Sequence, residues 1–297
     1  MSAAIMPASD GPADTGAGGP LRRLPPVLGL AAMYLPVYWA AAGSIWQTDD
    51  HAHGPIILLV AAWLVWDRRR ALAALPAGSD GRLGWPLFVL GLLAYLAGRA
   101  VDSSVLAFGS QPLVMAGVLL LMRGRAAARL LWFPLFYLVF ATPLPSLLVD
   151  AATGPLKQWI SVIAENLLYA AGYPIARSGV VLSIGQYQML VADACSGLHS
   201  MFSLAALGTL FMFLVQRPGW LHNALMAAAI LPVAFAANIV RVMILMLVTY
   251  HFGDEAGQGF LHGAAGIVLM LTALAAFFGL DALLWAARSR ARHPPAT

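Results

Sequence analysis

Apolar runs long enough to cross a lipid bilayer recur along this chain, and the short polar stretches between them collect most of its arginine. A spanning helix needs about 20 apolar residues and satisfies its own backbone hydrogen bonds, as a membrane interior demands. Eight such runs are expected, at about 25–46, 53–66, 84–100, 104–122, 129–149, 195–216, 221–250 and 260–287. The hydrophobic fraction is 61% and the charged fraction 10%, well under the roughly 25% charged residues of an ordinary soluble domain. The expected fold is therefore an all-α polytopic membrane protein of about eight transmembrane helices.

The basic residues orient it. Arg22 and Arg23, Arg68 to Arg70 with Arg82, Arg123 with Arg125 and Arg129, Arg217, and Arg288 with Arg290 and Arg292 all fall on one side of this threading. The other side holds only Arg99, Lys157 and Arg177, together with Asp49, Asp50, Asp102, Asp150, Glu165, Asp193, Asp254 and Glu255. By the positive-inside rule both termini are expected in the cytoplasm. The net charge of +4 thus reads as an orientation signal, and no nucleic-acid partner is expected. Residues 1–24 read as a disordered cytoplasmic tail, 25–287 as a single transmembrane domain and 288–297 as a basic cytoplasmic tail. No cleavable signal peptide is expected, because the first apolar stretch follows Arg22 and Arg23 and is long enough to span.

The longest connection, about 150–194, is expected on the outer side. Leu156 to Tyr169 places apolar residues at helical intervals and reads as an amphipathic helix in the outer interface. Val180 to Val191 is β-branched and partly alternating around Gly185, which suggests a short β-hairpin leading into the sixth helix.

That helix opens with Cys195, the only cysteine in the chain. One cysteine excludes an internal disulfide and leaves two readings, an inert packing residue or a reactive thiol. A nucleophile must be thiolate, and an unassisted thiol near pKa 8.5 is little ionised at neutral pH. Asp193, Ser196 and Ser200 give Cys195 a polar setting, and the helix N-terminus favours an anion. The backbone amides near Ser196 could hold a developing oxyanion.

Arg241 lies inside the seventh apolar run, where a central arginine costs on the order of 3 kcal/mol. Asn238 is three residues away and shares its helix face. A partner must offset that cost. The alternatives are an interfacial arginine, an ion pair with an acid such as Asp281 or Asp193, and a role beside Cys195. His262, expected near the start of the last run, could exchange protons with the thiol and with a leaving amine. It could also be a simple interfacial residue. His51 and His53 face outward between the first two runs, and no further cysteine or histidine cluster completes a metal site there. Neither a metal nor a cofactor is expected.

Ala194-Cys195-Ser196-Gly197, then Asn238-Ile239-Val240-Arg241, then His262 with Gly266, resemble in order the exosortase and archaeosortase family, most of all its exosortase B type. His53-Gly54-Pro55, leading into a run that ends Trp66-Asp67-Arg68-Arg69, is similar to it too. The resemblance covers about residues 30–285. The extra C-terminal domain of other exosortase types is not expected here, because the sequence stops soon after Arg292. The resemblance implies a catalytic Cys195, Arg241 and His262, with Asp193, Ser196, Asn238 and His53 in support. It further implies a membrane-embedded cysteine protease or transpeptidase at the outer face of a bacterial inner membrane. Its partners would be exported proteins with a C-terminal Pro-Glu-Pro-type sorting signal, membrane lipid and an acceptor molecule of unknown identity. Lowering the thiol pKa by two units corresponds to about 2.7 kcal/mol, which a desolvated guanidinium at hydrogen-bond range can supply. The competing readings are a non-enzymatic transporter or scaffold in which Arg241 binds an anion, and a serine protease using Ser196 or Ser200. Neither serine stands in a Gly-x-Ser-x-Gly setting.

Overall fold

The computed structural model describes residues 24–48, 51–76, 78–144, 146–190 and 198–292. The protein is an all-α polytopic membrane protein with one small sheet. Helix α1 spans Leu24–Ala42 and α2 Gly54–Asp67, with a short α3 at Arg69–Ala74. Then come α4 (Gly81–Ala100), α5 (Ser104–Leu130), α6 (Trp132–Tyr137) and α7 (Ser146–Ala170). After the sheet follow α8 (Leu198–Val215), α9 (Trp220–Phe252), α10 (Asp254–Gly263) and α11 (Ala265–Arg292).

Among the described residues, five helices are long and apolar enough to cross a membrane: Pro25–Ala42, Gly81–Ala100, Ser104–Leu130, Trp220–Phe252 and Ala265–Arg288. The shorter apolar helices Gly54–Asp67, Trp132–Ala141 and Met201–Val215 fall on the other three expected runs. Large apolar side chains such as Trp39, Leu93, Leu231 and Leu271 point outward, as they do where the surrounding solvent is hydrocarbon.

The boundaries differ from expectation where proline and glycine intervene. The run expected at 129–149 is broken into α6, a 3₁₀ turn at Leu138–Ala141 and the start of α7. Pro143 and Pro145 supply no backbone N–H and disfavour helix in the residues before them. Helix α5 continues past the expected end at 122 because a kink at Gly124 (φ 74°) lets a second helical stretch run on to Leu130. The helix expected to lie in the outer interface begins at Ser146, ten residues before the expected Leu156. The run expected to open at 260 is two helices parted at Ala264, so His262 stands near the end of α10 instead of at the start of a span. Helix α11 carries on to Arg292, beyond the expected limit at 287.

The expected hairpin is part of a three-stranded antiparallel meander, β1 (Ile175–Ser178), β2 (Val181–Ile184) and β3 (Tyr187–Leu190), in the order β1-β2-β3. Ile184 pairs with Tyr187 across the two-residue turn Gly185-Gln186, and Gly185 takes the positive φ (57°) that such a turn requires at its first position. Alternation turns Leu182 and Ile184 inward, where they are fully buried. There they join Ile160, Ala164 and Leu168 of α7 and Val242, Leu245 and Met246 of α9 in one apolar core. A second core lies on the other flank of α9, built from Ala234 and Ala237 with Met201 and Leu204 of α8 and Leu269, Ala273 and Phe277 of α11. Helix α9 is thus enclosed by α7 and the sheet on one side and by α8 and α11 on the other.

Candidate active site

One end of the bundle collects the basic residues. Arg68 donates to the Leu130 carbonyl (3.0 Å) and stacks over the Phe213 ring (4.7 Å). Arg217 forms a double hydrogen bond with Asp281 (2.8 and 3.1 Å) and stacks over Trp285. The Asp281 carboxylate raises the pKa of Arg217 above its ordinary value, so it remains charged. His222 Nε2 lies 3.0 Å from the same carboxylate, and Arg288 donates to the Pro218 carbonyl. Asp281 was one of the two acids named in the ion-pair alternative for Arg241. It is taken instead by Arg217 and His222 at the basic end. His222 is 5% exposed, and among the described residues its Nδ1 has no hydrogen-bond partner.

The sheet sits at the opposite end of α9. Tyr173, just before β1, meets Tyr250 edge-on (5.6 Å between ring centres), and Gly185 lies against the Tyr250 ring. Arg177 of β1 donates to Glu165 of α7 (2.9 Å), clipping the sheet to its supporting helix. His53 is at this end as well. It precedes Gly54 at the start of α2, whose far end carries Arg68.

Between the two ends, Asn238 and Arg241 point from α9 into the bundle, 0% and 8% exposed. They follow Ala234 and Ala237 along the most enclosed stripe of the helix, which continues through Leu245 and Thr249. By helix rise, Arg241 lies roughly 16 Å below the Phe252 end, within the apolar span.

Close contacts fix which neighbouring turns stand level with it. Gly208 of α8 packs on Ile230, and nearer the basic end Phe211 and Val215 share a small cavity with His222 and Met226. Helix α8 therefore runs antiparallel to α9, and followed back at the same rise its first turn, at Leu198, comes level with Val240. On the other flank, Gly253 (φ 90°) reverses the chain, a conformation open to glycine. Gly257 then packs against Thr249, and farther down Asp281 meets His222. Counted at helix rise from those two contacts, the backbone at His262 comes about level with the α9 stretch from Arg241 to Ile244. Asp254 and Glu255 in the first turn of α10 stabilise its N-terminus.

At helix rise, the first turn of α8 and the backbone at His262 thus come to about the level of Asn238 and Arg241 along α9. Cys195, Asp193 and Ser196 lie outside the described residues. Sequence reasoning missed Thr249 and Gly257, whose contact folds α10 back along α9; the glycine-rich run Gly253 to Gly263 was the available signal. It missed the link from His222 to Asp281 because partner choice is not written in either residue.

These features define a polytopic helical membrane protein built around one central helix that carries a buried asparagine and arginine. The family model described as transmembrane exosortase matches residues 45–279, and the chain belongs to that family. The match takes in the sheet, α8, α9 and α10. No curated protein and no solved structure matches the chain.

Proposed function

We propose that the protein is a membrane-embedded cysteine peptidase or transpeptidase. It cleaves C-terminal Pro-Glu-Pro-type sorting signals of exported proteins at the outer face of a bacterial inner membrane. The observation that carries this reading is the shared level of three chain segments: the Asn238–Arg241 turn, the start of α8 at Leu198 and the backbone at His262. Cys195 precedes Leu198 by three residues in the sequence. The sheet end faces outward and the arginine-rich end faces the cytoplasm, with both termini there, as the positive-inside rule requires.

In the proposed reaction the Cys195 thiol gives its proton to His262, and the thiolate attacks the scissile carbonyl. The Arg241 guanidinium and the amides near Ser196 stabilise negative charge first on sulfur and then on the carbonyl oxygen. The carbon–nitrogen bond breaks, the leaving amine takes the proton from His262, and a thioester remains on Cys195. An amine acceptor or water then displaces the sulfur. Asn238, Asp193 and His53 act as orienting groups for this set.

Co-expression with a sorting-signal protein tests the proposal. Cys195→Ala and Arg241→Ala are each expected to leave the substrate uncleaved in membranes, and full processing by either would overturn it. Mass spectrometry of the new C-terminus then separates outcomes, an adduct meaning transfer and a bare carboxylate meaning hydrolysis.

A further inference from the structure

Away from the Arg241 turn, α1 and α2 stand apart over α5 and α6 and leave a crevice of about 720 Å³ in the side of the bundle. Its walls include Trp46, Leu59, Met115 and Leu138, and its lining is almost wholly apolar. Two polar side chains stand together in it. Gln111 Nε2 donates to the Tyr38 hydroxyl, while Gln111 Oε1 has no hydrogen-bond partner among the described residues. Gln111 is 2% exposed, and a buried amide oxygen without a partner is costly in a medium that cannot hydrogen-bond.

The position of this amide restricts what could satisfy it. Gln111 is about two turns into α5 from Ser104, roughly 10 Å along the helix axis. That end of α5 is where α1 finishes and α2 begins, opposite the arginine-rich end. A group reaching Gln111 has therefore passed the helix ends and entered the apolar zone. Below it the crevice continues along α2 past Leu58 to Val65 with only apolar walls. A charged head group does not fit beside Gln111, and a plain alkyl chain leaves the amide unsatisfied. A hydroxyl close to the head of a long alkyl chain meets both conditions. As donor and acceptor at once, it can serve either end of the amide.

We propose that this crevice is a binding site for an acyl-chain amphiphile bearing a hydroxyl near its head. The hydroxyl is held by Gln111 and Tyr38 and the chain lies along α2. The inference is independent of the proposed peptidase reaction.

The test is native mass spectrometry of the purified full chain titrated with the uncharged methyl 3-hydroxyhexadecanoate or with methyl hexadecanoate. The hydroxy ester is expected to bind about five-fold more tightly, the value of one net hydrogen bond. Gln111→Leu is expected to bring the two affinities together while leaving that of methyl hexadecanoate unchanged. Met115→Trp places an indole in the crevice one turn from Gln111 and is expected to weaken both at least about ten-fold. Equal affinities in the unaltered protein, a result that needs no variant, would overturn the proposal. So would undiminished binding to Met115→Trp, which would mean that the esters sit elsewhere on the apolar surface. A photoreactive residue at Leu59 should capture lipid; capture of a polypeptide would make the occupant a transmembrane helix and reject the assignment.

Discussion

Thr249 of α9 leaves no room for a side chain on Gly257 of α10, and this contact turns the chain back along α9 toward the level of Arg241. A Cβ at Gly257 would strike the Thr249 hydroxyl, which is itself held by the Leu245 carbonyl (3.0 Å). Gly257→Ala is therefore expected to push α10 outward. Overpacking of this kind costs about 1–3 kcal/mol, and substrate cleavage should fall by at least about ten-fold as the stretch around His262 moves. Adding Thr249→Ala removes the obstructing oxygen and should restore part of both. Cleavage assays and thermal unfolding of the single and double variants check this; a fully active Gly257→Ala would contradict it.

The cluster at the other end should behave differently. Asp281 accepts from Arg217 and contacts His222, and it is buried. Asp281→Asn removes the charge that both neighbours face, with an expected loss of about 2 kcal/mol of stability. The basic end lies far along α9 from Arg241, so cleavage per folded molecule should be unchanged. Normalising activity to folded protein separates the two effects. Loss of cleavage in a fully folded Asp281→Asn would show that the ends are coupled.

Arg241 and Asn238 were legible in the sequence because a cation and an amide stand out in an apolar run, and insertion cost alone demands a reason for them. The apolar runs were legible for the same reason, and so was the bias of arginine to one end. The register between helices was not. Where both lipid and core are apolar, the spacing of apolar residues does not mark the buried face. The stripe from Ala234 through Thr249 emerges only from contacts with α7, the sheet, α8, α10 and α11. Pro143 and Pro145 stood in plain view, yet an overall apolar run masked the break they impose. The β1 strand was missed because Ile175–Ser178 includes Arg177 and Ser178 and lacks clear alternation. Its place depends on pairing with β2.

Asp80 gives a prediction about acid. It caps α4 by accepting from the Arg82 and Leu83 amides (3.1 and 3.3 Å) and also pairs with Arg125. The hydrogen bond from Arg125, helped by those amides, lowers its pKa below the ordinary value of 3.8. A carboxyl with a lowered folded pKa stabilises the fold above its unfolded value, and that contribution is lost as pH falls through the folded value. The difference in melting temperature between the unaltered protein and Asp80→Asn should therefore be constant above about pH 5. It should shrink progressively below 3.8. Asparagine still caps a helix, so the comparison isolates the charge. A difference that grows on acidification would contradict the assignment.

Gly84, Gly91 and Gly98 repeat every seven residues along α4 and face α5, where Gly117 receives Phe88 in return. Small residues at such spacing let two membrane helices approach closely, and packing then replaces the hydrophobic drive that lipid cannot supply. A Cβ at Gly91 would come within 2.7 Å of the Val114 backbone nitrogen, and backbone inside a helix does not yield as a side-chain end does. Two opposing effects decide the sign of Gly91→Ala. Alanine gains up to about 1 kcal/mol in helix propensity over glycine, while forcing the helices apart costs about 1–3 kcal/mol and loosens the seam between Gly84 and Gly98. The second should win, giving a net loss of stability. Gly29 of α1 has nothing within 4 Å of its would-be Cβ, so Gly29→Ala keeps only the propensity gain and should be neutral or slightly stabilising. Unfolding of the two variants in the same detergent tests the pair, and equal shifts would show that the α4–α5 seam is not tightly packed.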